Sequence, residues 1–325
     1  MKCINNKKLS AILFAVLLAC TVLSGCQKEE IEVTSYEVDS YSKELYRGEL
    51  YAKDLCVAID DVTESSYVPG SSAAGRGLFD LNNNEVLYGE QIHDTIYPAS
   101  TTKIMTALVA LENGDLDDIV TVGYNADVDR FNYDEQVCGL KEGDQLTLRD
   151  LLHGLLMYSG NDTAVAVAEH ISGSVESFCQ LMNDKAKELM ATHTHFVNPH
   201  GLHDDDHYTT VYDMYLMFNQ ALTHDIFVEI IQKTSYDMQI TGADNSDRII
   251  TCTPTSYYAL GDTAQPQGAT VVGGKTGTTG QAGACLVLYD MDSAGNPYIS
   301  IIMGAETKPL LYSDMTALIN SIGTD

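Results

Sequence analysis

Residues 97–112 read Tyr97-Pro98-Ala99-Ser100-Thr101-Thr102-Lys103-Ile104-Met105-Thr106-Ala107-Leu108-Val109-Ala110-Leu111-Glu112. From Thr101 to Glu112 the apolar residues Ile104, Met105, Leu108, Val109 and Leu111 recur at helical spacing, and Asn113-Gly114 ends the run, so the stretch predicts a helix. The residues ahead of it have a different period. Leu55 to Ile59 and Gly77 to Leu81 read as strands, and Asn82-Asn83-Asn84 is a turn signal before the short run Val86 to Tyr88, which predicts a hairpin. Toward the C-terminus the pattern stays helical between Leu146 and Ala191, in three segments: Leu148 to Met157, Thr163 to Ile171 and Val175 to Leu189. After Gly268 the period returns to β, with Thr270 to Gly274, Ala284 to Tyr289 and Tyr298 to Met303 separated by short Gly-rich or Ser-Ala-Gly-Asn turns, which implies antiparallel pairing. A helix from about Leu310 to Ile322 closes the chain. Strands at both ends with helices between them predict an α/β fold: an antiparallel sheet built from both chain ends, with an inserted helical lobe at roughly residues 113–245.

The first residues have the form of an export signal, with Lys2, Lys7 and Lys8 ahead of the apolar run Leu9 to Leu23. That run is too short for a permanent membrane span. It ends in Leu23-Ser24-Gly25-Cys26, which resembles a bacterial lipoprotein signal, so residues 1–25 are expected to be removed and Cys26 to carry a lipid. The competing Leu17-Leu18-Ala19-Cys20 has a bulky Leu before the small residue and leaves a very short apolar region. Residues 26–49 are polar, rich in Glu, Ser and Tyr and without a period, and are read as a spacer; residues 50–325 form the expected catalytic domain. The expected location is extracytoplasmic, with the domain anchored to the membrane by the lipid on Cys26.

A net charge of −28 at pH 7 repels nucleic acid, and loss of the lysine-bearing signal makes it more negative still. An anionic ligand would have to be captured by a few local cations, among which Lys275 is a candidate. Eight cysteines are present. Setting aside Cys3, Cys20 and Cys26 leaves Cys56, Cys138, Cys179, Cys252 and Cys285, an odd set without a Cys-x-x-Cys metal signature. Cys56 and Cys285 lie in strand-like apolar runs and are expected to pack as small hydrophobes, and the sequence leaves one disulfide open.

Three short elements carry chemistry: Ser100-Thr101-Thr102-Lys103, Ser159-Gly160-Asn161 and Lys275-Thr276-Gly277. Singly they are weak, since a Ser-x-x-Lys or Ser-x-Asn arises about once per chain of this size by chance. Their order and context matter more. Ser100 stands at a helix start with Lys103 three residues on, so the two side chains share a face and the amine can reach the hydroxyl. A serine is a poor nucleophile until a base takes its proton, and lysine can be that base only where burial or a nearby cation lowers its pKa. Ser159 and Asn161 fall in a turn between two helices, where a hydroxyl can relay a proton and an amide can orient Lys103 or hold a carbonyl. Lys275, Thr276 and Gly277 read as an edge strand on which a cation and hydroxyls hold a carboxylate, and Gly277 clears room for a peptide-like ligand. Lys103 is thus expected neutral and Lys275 cationic.

With these motifs in place, the chain resembles the D-alanyl-D-alanine carboxypeptidases, the low-molecular-weight penicillin-binding proteins of serine peptidase type. Tyr97 to Leu108, Ser159-Gly160-Asn161-Asp162 and Lys275-Thr276-Gly277-Thr278-Thr279 carry the likeness. Gly139 to Asp144, Phe196 to Leu202 and Ala282 to Leu286 extend it, so that it runs from about Leu55 to the C-terminus. The resemblance implies a β-lactamase/transpeptidase-like fold. It implies Ser100 as acylated nucleophile, Lys103 as general base, Ser159 and Asn161 as relay and orienting residues, and Lys275, Thr276, Gly277 and Thr278 as substrate-binding, with the amides of Ser100 and Thr278 as the oxyanion hole. The implied substrate is a peptidoglycan stem peptide ending in D-Ala-D-Ala, with β-lactams as inhibitors and no metal or cofactor. Two features depart from the family. Residues 61–76 look longer than the usual link between the first two strands and read as a surface loop. The second β-rich domain and amphipathic C-terminal helix of many members are not expected here, the N-terminal lipid taking the place of that anchor.

Rival readings share parts of the sequence. His193, His195, His200, His203 and His207 crowd around Asp204-Asp205-Asp206 at spacings a metal site could use, although His200 belongs to the family-like Asn-Pro-His-Gly-Leu stretch. A β-lactamase shares the three-part site, but no Glu-x-x-Leu-Asn stretch for deacylation appears. Transpeptidase or endopeptidase activity on the same fold is the other enzymatic alternative.

Overall fold

The β-branched and aromatic runs of the two chain ends pair into one antiparallel sheet. A computed structural model describes residues 52–323; the signal of residues 1–25, the spacer of residues 26–49 and Cys26 lie outside the described residues. The strands are β1 (Gly75–Asp80), β2 (Glu85–Glu90), β3 (Ile119–Thr121), β4 (Gln145–Thr147), β5 (Tyr236–Thr241), β6 (Asp247–Cys252), β7 (Thr270–Thr279), β8 (Gly283–Met291) and β9 (Pro297–Ala305). The helices are α1 (Lys103–Asn113), α2 (Leu148–His153), α3 (Asn161–Ser172), α4 (Val175–Glu188), α5 (Val211–Ala221), α6 (Asp225–Gln232), α7 (Tyr257–Leu260) and α8 (Lys308–Asn320).

The main sheet runs β2-β1-β9-β8-β7, so the N-terminal hairpin and the C-terminal meander meet at β1–β9, with Gly77 opposite Ile301. Strand alternation divides its two faces. Leu286, Leu288 and Ile302 pack under α8 against Leu311, Met315 and Leu318. Val287, Ile299, Ile301 and Met303 face the opposite way and join the larger core of Phe79, Ile104, Leu108 and Phe218. Burial on both faces fixes the register of these strands, because a one-residue slip would exchange the faces. Strand β7, carrying Lys275, is left at the sheet's edge.

Four findings refine the sequence reading. The region of the expected helical lobe also contributes β3, β4 and β5 to a second antiparallel sheet, ordered β3-β4-β5-β6. Strands β3 and β4 bury one residue each, Val120 and Leu146, too few to establish a period. Leu55 to Ile59 is not a strand: Val57 and Ile59 are exposed, and the backbone of Cys56 is satisfied by tyrosine hydroxyls instead, its N–H donating to Tyr215 at 2.8 Å and its carbonyl accepting from Tyr212 at 2.9 Å. Residues 61–76 are more than a surface loop. Tyr67, Ser71 and the Gly70 amide all donate to the Asp314 carboxylate on α8, which also pairs with buried Arg76 at 3.1 Å. The five described cysteines are free thiols, Cys56 and Cys285 both buried, so the disulfide left open by the sequence is not formed.

Candidate active site

The segment ahead of α1 is a 3-10 turn, Ala99–Thr102, and Ala99 sits in the left-handed region at φ 48°. For a residue with a Cβ that conformation costs about 1–2 kcal/mol and needs external support. Hydroxyls supply part of it: Thr101 donates to the Pro98 carbonyl at 2.7 Å and Thr102 to the Ala99 carbonyl at 2.8 Å. Gly201, itself at φ 88°, lies so close that a Cβ there would come within 1.8 Å of the Ala99 carbonyl oxygen. The result is a turn that lifts Ser100 to the cleft while Thr101, Thr102 and Lys103 go under.

Lys103 is fully buried, and its Nζ has three oxygen neighbours: His200 O at 2.7 Å, Asn161 Oδ1 at 2.8 Å and Ser100 Oγ at 3.1 Å. The first two can only accept. A neutral amine has two hydrogens and one lone pair, so it spends both hydrogens on His200 and Asn161 and leaves the lone pair for the Ser100 hydroxyl. Burial holds the Lys103 ammonium well below the ordinary lysine range, and the nearby Lys275 pushes it the same way, against an opposing pull from Asp162.

The second element arrives through an irregularity. After α2 the chain makes a π-turn, Gly154–Tyr158, and Ser159 closes it in the left-handed conformation at φ 68°. A π-turn inserts a residue into the helical path, and here it delivers Ser159 to the cleft before α3 begins at Asn161. Buried Asp162 then accepts from the amides of Cys138, Gly139, Leu140 and Thr163, while the Asn161 amide donates to Gln136 O at 2.8 Å. These bonds hold the loop through residues 132–140 as one wall of the site.

The third element is β7. Lys275 is 1% exposed, and its Nζ donates to Ser159 Oγ at 2.9 Å and to Thr276 O at 2.8 Å. Burial pushes Lys275 down to about 7, so it is partly charged at neutral pH, and a charged ammonium keeps a third hydrogen for an anion. Burial thus lowers both lysines, where the sequence reading expected Lys103 neutral and Lys275 cationic. Thr276 Oγ1 meets Thr255 Oγ1 at 2.5 Å. At Gly277 the strand passes so near the Ser100 turn that a Cβ would lie 3.0 Å from Pro98 O, Ser100 N and Thr101 N.

Ser100, Ser159, Asn161, Thr276, Gly277 and Thr278 line one cleft of about 450 Å³, with Lys103 and Lys275 beneath it. All eight residues expected at the site from the sequence therefore come together. Sequence reasoning missed others at the same cleft: Thr255, Lys308 at the start of α8, and Asp134 and Glu135 on the loop wall. Gly201, Leu202 and Thr279 also line it and lie within the family-like stretches, whereas Thr255 and Lys308 reach the cleft through tertiary packing and had no local signal. The histidines do not converge. His200 gives its carbonyl to Lys103, His195 Nδ1 meets Asp206 O at 2.5 Å, and His203 faces Asp205. Among the described residues no group of three His, Cys, Asp or Glu could hold a metal ion.

A sequence profile described as D-alanyl-D-alanine carboxypeptidase matches residues 63–307. The chain is 32% identical over 253 residues to the D-alanyl-D-alanine carboxypeptidase DacF of Bacillus subtilis, covering 75% of this chain and 60% of that one. It is also 32% identical over 260 residues to DacC of Escherichia coli, covering 77% and 61%. Thus the chain spans about 60% of the length of these curated relatives. Among solved structures, the Streptomyces K15 DD-transpeptidase superposes with a TM-score of 0.72 at 27% identity, covering 79% of this chain and 99% of that one. Penicillin binding protein 5 from Haemophilus influenzae gives 0.67 at 30% identity, covering 78% and 71%. The expected β-lactamase/transpeptidase-like architecture is the fold of these neighbours.

Proposed function

The chain belongs to the D-alanyl-D-alanine carboxypeptidase family, and from that premise we propose that it is a serine peptidase that releases the terminal D-alanine from peptidoglycan stem peptides ending in D-Ala-D-Ala. The observation that carries this reading is the environment of Lys103, a buried amine with two obligate acceptors and its remaining position facing Ser100. Ser100 Oγ attacks the carbonyl carbon of the penultimate residue as its proton passes to Lys103 Nζ. The developing oxyanion is received by the backbone amides of Ser100 and Thr278, the roles the family resemblance gives them. Ser159 relays to the departing amine the proton that Lys103 took from Ser100, which returns Lys103 to its neutral form, while Asn161 orients Lys103 and Lys275 holds the terminal carboxylate with Thr276 beside it. Lys308 adds a second cation at the cleft for the same anion. Water, activated by Lys103, then cleaves the ester. A β-lactam offers the same carboxylate and an acyl group on Ser100 that leaves slowly.

The reading extends to location: export by the signal of residues 1–25, lipidation of Cys26, and action outside the cytoplasm at a membrane surface. No described helix is long and apolar enough to cross a membrane.

Labelled penicillin and a peptide ending in D-Ala-D-Ala test the proposal together. We expect stoichiometric labelling at Ser100, lost in Ser100→Ala, with release of D-alanine. Folded protein that does neither refutes it. Rapid penicillin turnover would instead favour a β-lactamase, and transfer of the acyl group to an added amine in preference to water would favour the transpeptidase alternative, as in the K15 neighbour.

A further inference from the structure

We infer that His207 is a positioning residue for the nucleophile, holding the Ala99–Ser100 turn through a relay of hydrogen bonds that only the neutral Nε2–H imidazole can complete. The inference rests on the acyl-transfer reading of the site. His207 is 1% exposed, and each ring nitrogen has a partner. Its Nδ1 faces the Val197 amide at 3.1 Å, and its Nε2 faces Thr102 Oγ1 at 2.8 Å. An amide N–H can only donate, so Nδ1 must accept. That choice places the proton on Nε2, which donates to Thr102 Oγ1, and the Thr102 hydroxyl is then free to donate to the Ala99 carbonyl at 2.8 Å. Each bond in the relay therefore fixes the direction of the next. The opposite tautomer, or the imidazolium, would set an N–H against the Val197 amide.

The far end of the relay is the residue that needs holding. Ala99 has the left-handed conformation that turns Ser100 into the cleft, and its carbonyl is also closely approached by Gly201. The His207 ring also packs edge-on to buried Phe196, with ring centres 5.5 Å apart, which fixes the imidazole plane. Burial pushes His207 down to about 4, consistent with a ring that stays neutral across the physiological range. His207 does not line the cleft and makes no hydrogen bond to Lys103, so its hydrogen-bonded path to Ser100 runs through Thr102 and Ala99. Losing it should leave the carboxylate anchor at Lys275 intact and disturb only the placement of the hydroxyl.

Two measurements decide the matter. In labelled wild-type protein, imidazole nitrogen NMR should show His207 protonated at Nε2 and bare at Nδ1 at neutral pH; the other tautomer, or an imidazolium, overturns the inference without reference to activity. In stopped-flow acylation by a penicillin, His207→Ala should slow the acylation step by up to about 100-fold, the scale of a misplaced reacting atom, with the preceding dissociation constant little changed. His207→Gln, whose amide can accept from Val197 and donate to Thr102, should recover most of the rate. Acylation as fast in His207→Ala as in wild type overturns the relay, and so does equal loss in the Ala and Gln variants. A wild-type protein that is not acylated at all would instead refute the acyl-transfer reading, while the NMR result still decides the tautomer.

Discussion

Lys275 on the edge strand donates to the hydroxyl of Ser159 at 2.9 Å, across 116 residues of sequence, and this bond closes the cleft between the main sheet and the helices. It also sets the charge state on which anion binding depends. With Lys275 lowered to about 7, its charged form is present below that pH and is lost above it. A bound carboxylate favours the charged form and raises the value again, so binding takes up a proton on the alkaline side. The second-order rate of acylation by an anionic penicillin should therefore fall as pH rises from 7 to 9, and Lys275→Gln should be slow at all pH values with that limb absent. A flat profile in the wild type over this range would contradict the assignment.

At Gly277 the argument is steric. A Cβ would press at 3.0 Å on Pro98 O and on the Ser100 and Thr101 amides, all backbone atoms of a turn that is pinned elsewhere. Gly277→Ala should thus displace strand or turn and lower acylation by on the order of 100-fold with little change in thermal stability. Unimpaired acylation would mean that the turn and strand move apart freely.

Asp314 anchors residues 61–76. Burial alone would raise its pKa, but hydrogen bonds from Ser71, Tyr67, the Gly70 amide and Arg76 outweigh it and hold the carboxylate below the usual range. Asp314→Ala leaves the buried Arg76 with Glu90 as its remaining charge partner. The expected loss is about 3–5 kcal/mol, the cost of breaking a buried pair, read from denaturant unfolding. Since a carboxylate with a lowered pKa stabilises above its unfolded value, this contribution fades as the pH falls through the acid range. A loss below about 1 kcal/mol would class the pair with exposed ones.

Asp290 predicts the opposite pH trend. It is fully buried on β8, and neither carboxyl oxygen has a hydrogen-bond partner among the described residues; Ser300 Oγ lies beside it short of hydrogen-bond geometry. Burial pushes it up to about 7. Between its unfolded value near 4 and 7, the folded protein binds more protons than the unfolded one, so stability declines as pH rises through that interval. Asp290→Asn should remove this decline and raise the melting temperature at pH 8 while changing little at pH 5. Equal effects of the substitution at both pH values would show that Asp290 does not titrate there.

The hairpin, helix α1 and the final strands were legible because Ile104 to Leu111 and the runs after Gly268 have clear periods, the strands and helices between Ala191 and Gly268 went unread, and the residues of the cleft were legible because each sits in a short local motif. Both follow from residues near one another in the chain. The two three-residue strands of the second sheet were not, since one buried side chain per strand leaves no alternation to read. Leu55 to Ile59 misled for the converse reason: its composition suits a strand, but its backbone finds Tyr212 and Tyr215. Sequence alone determined which groups could do the chemistry. Tertiary structure decided which proton each one holds, because burial and partners drawn from distant segments set the charge: Asn161 and His200 around Lys103, Ser159 beside Lys275, and Val197 and Thr102 around His207.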